Sequence, residues 1–289
     1  MKNKKISVLI MISILILGLV LTSCGGSGDG GNNKSKVKLI GISLTEEEYA
    51  FGVDKNQPEL LTKVNDFIKQ IASDGTLDEI FDKYFADGTP TAVESAEPDS
   101  SKDQLVVATN ASFEPFEYML GDSYYGIDLE IAALLAEHLD KELVINNMDF
   151  DAVVLSVGQG KADIAMAGLT ITEGRKESVD FSDKYYDASQ KLIVMSSDSS
   201  FDKCTSVEDV EEVLNGLTST TKIGVQTGTT GQFYLEGDED WGFDGYAVET
   251  VGYKAGSLAV QDMINGNIKY VVIDEAPALF IVESINKLG

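Results

Sequence analysis

The chain is short of the residues that most often do chemistry at neutral pH. It has one histidine, His138, and two cysteines, Cys24 and Cys204, in 289 residues. One histidine leaves no Cys/His pair, no Ser/His constellation and no metal-ligand spacing, the arrangements on which nucleophilic and metal-assisted catalysis rest. His138 lies on the polar edge of a helical pattern, where a solvated ring is expected. Two distant cysteines make no disulfide framework, and Cys204 reads as a buried or half-buried bystander. Cations are scarce as well. The 22 Lys and Arg stand against 48 Asp and Glu, for a formal charge of −26, and such a surface repels phosphate backbones, which argues against nucleic acid as a partner. No metal and no cofactor is implied. Carboxylates are plentiful, so composition alone leaves acid–base chemistry open.

Long hydrophobic runs are also missing. Ile6 to Val20 is almost wholly apolar, but it is too short and too abruptly followed by polar residues to be a comfortable membrane span. Lys2, Lys4 and Lys5 precede it, as in a secretion signal, here residues 1–23. Leu21-Thr22-Ser23-Cys24, followed by Gly25 and Gly26, resembles the bacterial lipobox. That resemblance implies cleavage before Cys24, a diacylglycerol on its sulfur, and anchoring at the extracellular face of the cell membrane. The alternative is an ordinary signal peptide with an incidental cysteine. Gly25 to Ser35 has no apolar residue to bury, so residues 24–36 read as a flexible tether.

Roughly 250 residues remain, enough for one large domain or two lobes. From Gln104 onward short apolar runs alternate with amphipathic stretches. Leu105 to Ala108, Leu143 to Ile145, Ile164 to Ala167, Lys222 to Val225, Tyr246 to Thr250 and Tyr270 to Ile273 read as strands. Leu129 to Leu139, Val153 to Val157 and Leu258 to Ile264 read as helices. The alternation predicts α/β lobes with largely parallel sheets. Before it, Val37 to Ile40 and Ala50 to Val53 read as short strands, and Glu59 to Ala72 as an amphipathic helix ended by Asp74-Gly75. Thr76 is expected to cap a further helix through Phe85. Ala86 to Lys102, without periodicity, reads as a solvated linker. About fifty residues ahead of such a linker are too few for an independent core, so this block needs something to pack on.

The strings LVVATNASFEPFEYMLGDSYYG, IDLEIAALLAEHL, NMDFDAVVLSVGQGKADIAMAGLTITEGRK and SVDFSDKYYDASQ resemble the first lobe of type 3 extracellular solute-binding proteins, which serve ABC importers of polar amino acids. The resemblance is near-continuous from about Gln104 to Pro277. Beyond it the family expects a last strand of the second lobe, a return crossing and two C-terminal helices, whereas this chain stops at Gly289. Those pieces resemble VKLIGISLTEEEYAFGV and NQPELLTKVNDFIKQIASDGTLDEIFDKYF at the other end. The expectation is therefore a two-lobe, periplasmic-binding-protein-like (type II) fold, circularly permuted, with a ligand cleft between lobes. Its parts would be a final strand of the second lobe and a hinge (37–48), C-terminal helices on the first lobe (49–86), a permutation linker (87–103), the first lobe (104–186) and the second lobe (187–289). A damaged tandem of two binding domains is the competing account of the order. Hinge crossings are expected near Tyr185 to Ala188 and Ser43 to Tyr49. Exposed, neighbouring termini make such a rearrangement cheap.

The resemblance also implies a site. Arg175, in GLTITEGRK, matches the carboxylate clamp, whose planar fork holds two oxygens at once. Thr229 and Thr230, in GVQTGTTG, would offer further donors to the carboxylate. Asp274, following an apolar strand, matches the ammonium acceptor, with Gly168 and Thr170 completing its shell. Phe113 and Phe150 match the aromatics that sandwich the ligand side chain, although aromatics in these positions also suit a core. Asn110 and Gln226 would meet the side chain and, being uncharged, favour a neutral polar, glutamine-like ligand. The expected partners are thus a small L-amino acid, ABC permease subunits and, through Cys24, the membrane, with the protein acting as a monomer. Two other readings stay open. One is a dehydratase-like enzyme on the same scaffold. The other is a sensory module that presents its ligand to a receptor.

Overall fold

The structure, a computed structural model, describes residues 35–86, 88–239 and 241–288. The signal, Cys24 and all but the end of the tether lie outside the described residues. The chain opens with three short strands, β1 (Val37–Leu39), β2 (Glu47–Tyr49) and β3 (Gly52–Asp54). Of the strand expected over Ala50 to Val53 only Gly52 and Val53 lie in β3, while β2 ends just before that range and pairs in a different sheet. Helix α1 (Pro58–Asp74) buries Leu60, Val64, Phe67, Ile68 and Ile71 at helical spacing. Gly75, at φ 89°, ends it in the left-handed region that glycine tolerates best. Helix α2 (Thr76–Phe85) follows at once, with Gly75 rather than Thr76 in the capping position. The backbone N–H of Thr76 instead donates to Asp74.

The stretch read as a solvated linker is fastened down. Val93 is buried and bridges Tyr124. The N–H of Ala96 donates to the Leu143 carbonyl at 2.8 Å, and the Ser95 hydroxyl accepts from the N–H of Ile145 at 2.9 Å. One valine and scattered backbone donors suffice to hold an irregular strap, and none of them leaves a periodic trace in the sequence.

The chain then forms β4 (Gln104–Thr109), the meander β5 (Ser112–Phe113), β6 (Glu117–Leu120) and β7 (Ser123–Tyr125), α3 (Ile127–His138), β8 (Glu142–Asn147), α4 (Phe150–Gly158), β9 (Ile164–Ala165), α5 (Glu173–Lys176) and β10 (Val179–Phe181). Next come β11 (Tyr186–Ala188), β12 (Gln190–Met195), α6 (Val207–Asn215), β13 (Lys222–Gln226), α7 (Thr230–Glu236), β14 (Glu249–Tyr253), α8 (Gly256–Ile264), β15 (Tyr270–Asp274) and α9 (Glu275–Leu288). The strand expected over Tyr246 to Thr250 therefore sits some residues later, where β-branched Thr250 and Val251 pair with β13.

Two five-stranded sheets result, in the orders β10-β3-β9-β4-β8 and β1-β12-β15-β13-β14. Neither is largely parallel. Each joins parallel pairs (β9-β4-β8; β15-β13-β14) to antiparallel ones. The antiparallel strands β1, β3, β10 and β12 flank the two places where the chain passes between the sheets. There β2 and β11, the stretches expected to cross, pair with each other as a two-stranded ribbon, Tyr49 opposite Tyr186. Within each sheet the strand period of two divides the core. Val271 and Ile273 of β15 join a cluster with Ala259, Val260 and Met263 of α8, while Tyr270 and Val272 face Val210, Leu214 and Tyr234. Both sheets are covered on both faces, which is why their strands read as continuous apolar runs.

Segment 37–85 completes structures begun after residue 104. β1 edges the second sheet, β3 lies inside the first, and α1 and α2 pack on α3 through one continuous cluster. The segment's start is also tied to the far end of the chain. The Asn286 carboxamide accepts from the N–H groups of Lys36 and Val37 at 2.8 and 3.2 Å, and donates to the Val37 carbonyl at 2.9 Å.

Candidate functional site

The strand ends beside the β2–β11 ribbon bring together polar side chains that are almost wholly buried. Thr172 caps α5 by accepting from the N–H of Arg175, which fixes that short helix and aims the arginine inward. The guanidinium donates to the Thr170 carbonyl at 2.7 Å and to the Gly228 carbonyl at 3.0 Å. Gly228 precedes α7 in the other lobe, so Arg175 spans the cleft. The Phe150 ring lies 5.4 Å from the guanidinium carbon, a cation–π contact. Burial lowers the pKa of Arg175 to about 10, while the charges of Glu47 and Asp274 act to raise it. Among the described residues no carboxylate forms an ion pair with this guanidinium. A guanidinium carries five N–H donors, and backbone carbonyls engage only two of its nitrogens.

Asp274, at the end of β15 and 3 % exposed, accepts from the Tyr49 hydroxyl at 2.5 Å. Burial first, and the charge of Glu47 second, push its pKa up to about 7. Gly168 has φ 52°, and a Cβ there would stand 2.8 Å from Cε1 of Phe113, so glycine is required by conformation and by contact alike. Its N–H donates to Asp128. Phe113 is buried against Phe116 and Gly168. Asn110 and Gln226 meet across the lobes, with Nε2 of Gln226 donating to Oδ1 of Asn110 at 3.0 Å. Asn110 donates in turn to the Met148 carbonyl, and Oε1 of Gln226 is buried without a partner among the described residues. The Thr229 hydroxyl donates to the Gln226 carbonyl at 2.8 Å.

Sequence reasoning missed Glu47 and Tyr49. Glu47 is 5 % exposed, and its carboxylate accepts from the hydroxyls of Thr170 (2.6 Å) and Thr230 (2.8 Å), one from each lobe. The run Glu46-Glu47-Glu48-Tyr49 looks like a solvated acidic stretch. Its strand alternation, which sends Glu47 and Tyr49 inward and Glu48 outward, was the available signal. Asp128 and Glu117, both fully buried, were also overlooked. Asp128 accepts from Gly168 and from the Tyr185 hydroxyl, and burial raises its pKa to about 7.

A cavity of about 760 Å³ opens beside the ribbon. Glu47, Tyr49 and Thr170 form the wall it shares with the cleft, while Trp241, Tyr186 and Glu275 line the rest. It holds neither Arg175 nor Asp274, whose surroundings are closed by the cross-lobe contacts. Among the described residues no group of three or more metal-ligating side chains gathers, and no helix is long and apolar enough to cross a membrane.

The sequence profile of bacterial extracellular solute-binding proteins, family 3, matches residues 2–87 and 105–275. The chain belongs to this family. It is similar to the arginine-binding extracellular protein ArtP of Bacillus subtilis, at 37 % identity over 131 residues, covering 45 % of this chain and 47 % of that protein. A probable histidine-binding protein of Neisseria gonorrhoeae is 30 % identical over 171 residues, covering 59 % and 58 % of the two chains. The chain thus spans about half the length of the curated relatives it matches. Among solved structures, an ancestral arginine-binding protein bound to arginine superposes with a TM-score of 0.53 at 34 % identity, covering 63 % of this chain and 75 % of that one. The ancestral amino acid-binding protein AncCDT-1, a precursor of cyclohexadienyl dehydratase, gives 0.53 at 28 %, covering 72 % and 78 %. The two-lobe α/β fold is that of these proteins, and the family is described by solute binding rather than by catalysis.

Proposed function

We propose that this protein captures a small L-amino acid between its lobes, outside the cell, and delivers it to an ABC importer. The observation that carries this reading is the buried Arg175 guanidinium, which among the described residues hydrogen-bonds to two backbone carbonyls and no carboxylate and is acted on by the charges of Asp274 and Glu47. A buried cation without an ion-pair partner is costly, and a ligand carboxylate would complete it through the remaining N–H donors. Asp274 would receive the ammonium together with Gly168 and Thr170. Thr229 and Thr230 would support the carboxylate from the second lobe through backbone N–H groups, and Phe113 and Phe150 would enclose the side chain. A ligand touching both lobes stabilises the closed arrangement. Closure would then present the loaded form to permease subunits, with the protein acting as a monomer held on the membrane by a lipid on Cys24.

For the ligand side chain, Asn110 and Gln226 bring no charge, and the unpartnered Oε1 of Gln226 calls for a donor. A neutral polar, glutamine-like ligand meets that demand. The order of the chain we read as a circular permutation, with 87–103 joining the family's usual ends. Its support is the Asn286 clasp between the start and end of the folded chain and the completion of both sheets by segment 37–85.

A thermal-shift screen of the mature chain against the twenty amino acids tests the function. Tight binding raises the melting temperature by mass action. Glutamine is expected to give the largest shift. A larger shift from arginine or histidine would overturn the side-chain assignment, and no shift from any amino acid would overturn the receptor reading.

A further inference from the structure

Glu47 stands on the ribbon between the lobes, yet its carboxylate is wrapped in hydroxyls. Oε2 accepts from Thr170 at 2.6 Å and from Thr230 at 2.8 Å, and Oε1 accepts from Thr45 at 2.6 Å. Thr230 Oγ1 also accepts from Nε2 of Gln190 at 2.9 Å, and Thr45 Oγ1 accepts from the N–H of Gln190 at 2.9 Å. A hydroxyl has one proton to give and two lone pairs. Once Thr170 and Thr230 commit their protons to Glu47, their oxygens can only accept.

We infer that Glu47 is a positioning residue for the ligand's ammonium: it takes the protons of Thr170 and Thr230, one from each lobe, and so turns both hydroxyls into acceptors aimed at a cation. The inference rests on the amino-acid reading above and deepens it. An ammonium is donor-only, and the Thr170 carbonyl is already engaged by Arg175. The hydroxyl, its proton given to Glu47 and both lone pairs open, is then the less engaged of the two acceptors on Thr170. The same carboxylate adds a negative charge near Asp274 and Arg175, as its effect on both groups shows. Because the two hydroxyls come from opposite lobes, the bridge through Glu47 is complete only when the lobes are together. Closure and the readiness of the ammonium pocket are thus one event.

The test compares two ligand series on the intact mature chain by calorimetry. L-Glutamine, L-arginine and L-histidine are each measured against the 2-hydroxy acid with the same side chain, which keeps the carboxylate and lacks the ammonium. The wild type is expected to prefer the amino acid by about a hundredfold, on the scale of two hydrogen bonds to a charged group. Glu47→Gln is expected to cut that preference about tenfold or more while leaving 2-hydroxy acid affinity within about threefold, because only the ammonium loses its acceptors. In a Thr170→Val background the further change Glu47→Gln should cost clearly less than it does in the wild type, because only the Thr230 hydroxyl is then left to lose its alignment. Equal losses for both ligand series, or an unchanged preference, would overturn the inference. If Glu47→Gln fails to fold, Thr170→Val alone must lose the preference, and its retention overturns the inference equally. Absence of binding of any amino acid by the wild type would bring down the receptor reading, and this inference with it.

Discussion

Replacing Arg175 with methionine keeps a long side chain over Phe150 and removes the charge. In the unliganded protein two effects oppose each other. The two hydrogen bonds to the Thr170 and Gly228 carbonyls disappear, each worth about 1.5–3 kcal/mol when the donor is charged. The penalty of burying a guanidinium, visible in its lowered pKa of about 10, disappears too, and at about 1.4 kcal/mol per tenfold it is worth about 3 kcal/mol. Folding stability should therefore change by no more than about 3 kcal/mol. Ligand binding has no such compensation. A carboxylate that loses a bidentate contact forfeits about 3–6 kcal/mol, a factor of about 10² to 10⁴ in Kd. Denaturant titration of the unliganded variant and calorimetry with the best amino acid from the screen separate the two quantities. Affinity within threefold of wild type in a folded Arg175→Met protein would refute the clamp.

The pH behaviour should run in opposite directions for folding and binding. Asp274 has its folded pKa raised to about 7, as has Asp128, so the folded chain holds their protons more tightly than the unfolded one. Unliganded stability should then fall as pH rises from about 4 to about 7, while affinity for an amino acid, which needs ionised Asp274, should rise over that window by up to about tenfold per pH unit. Asp274→Asn should flatten the binding profile and lessen the slope of the stability profile, to which Asp128 still contributes, and parallel rather than opposed slopes in the wild type would contradict this account. Gly168→Ala forces a side chain into φ 52° and against Phe113. Destabilisation of about 1–3 kcal/mol, seen as a melting temperature lower by about 2–12 °C, is expected, and an unchanged melting point would show that the glycine is dispensable.

Much of this architecture could be read from residue pattern. The apolar face of α1, the αL glycine after it and the buried runs of β4, β8, β13 and β15 follow from periodicities of 3.6 and 2 that no tertiary contact needs to supply. Arg175, Asp274, Gly168 and Thr170 stand out through motif resemblance, and all four are buried in the structure. The short strands did not stand out. β5, β6 and β7 span two to four residues each, too few for alternation to register, and β2 is masked by its own charges. The strap over 88–102 is largely exposed, as a solvated linker should be, but its anchorage through a single buried valine leaves no pattern to read.

The difference is one of range. Helix ends, strand faces and the solvent-repelled core arise from neighbours within a few residues, and a sequence carries that information locally. Whether β1 pairs with β12, more than 150 residues away, whether a strand runs parallel or antiparallel to its neighbour, and whether Glu47 faces water or the hydroxyls of Thr170 and Thr230 depend on which surfaces meet when the lobes pack. Burial changes the chemistry of the groups it encloses. In water the carboxyl of Asp274 would be ionised without question, and only the enclosure made by two sheets and a ribbon shifts it towards neutrality and leaves Arg175 facing the cleft with donors to spare.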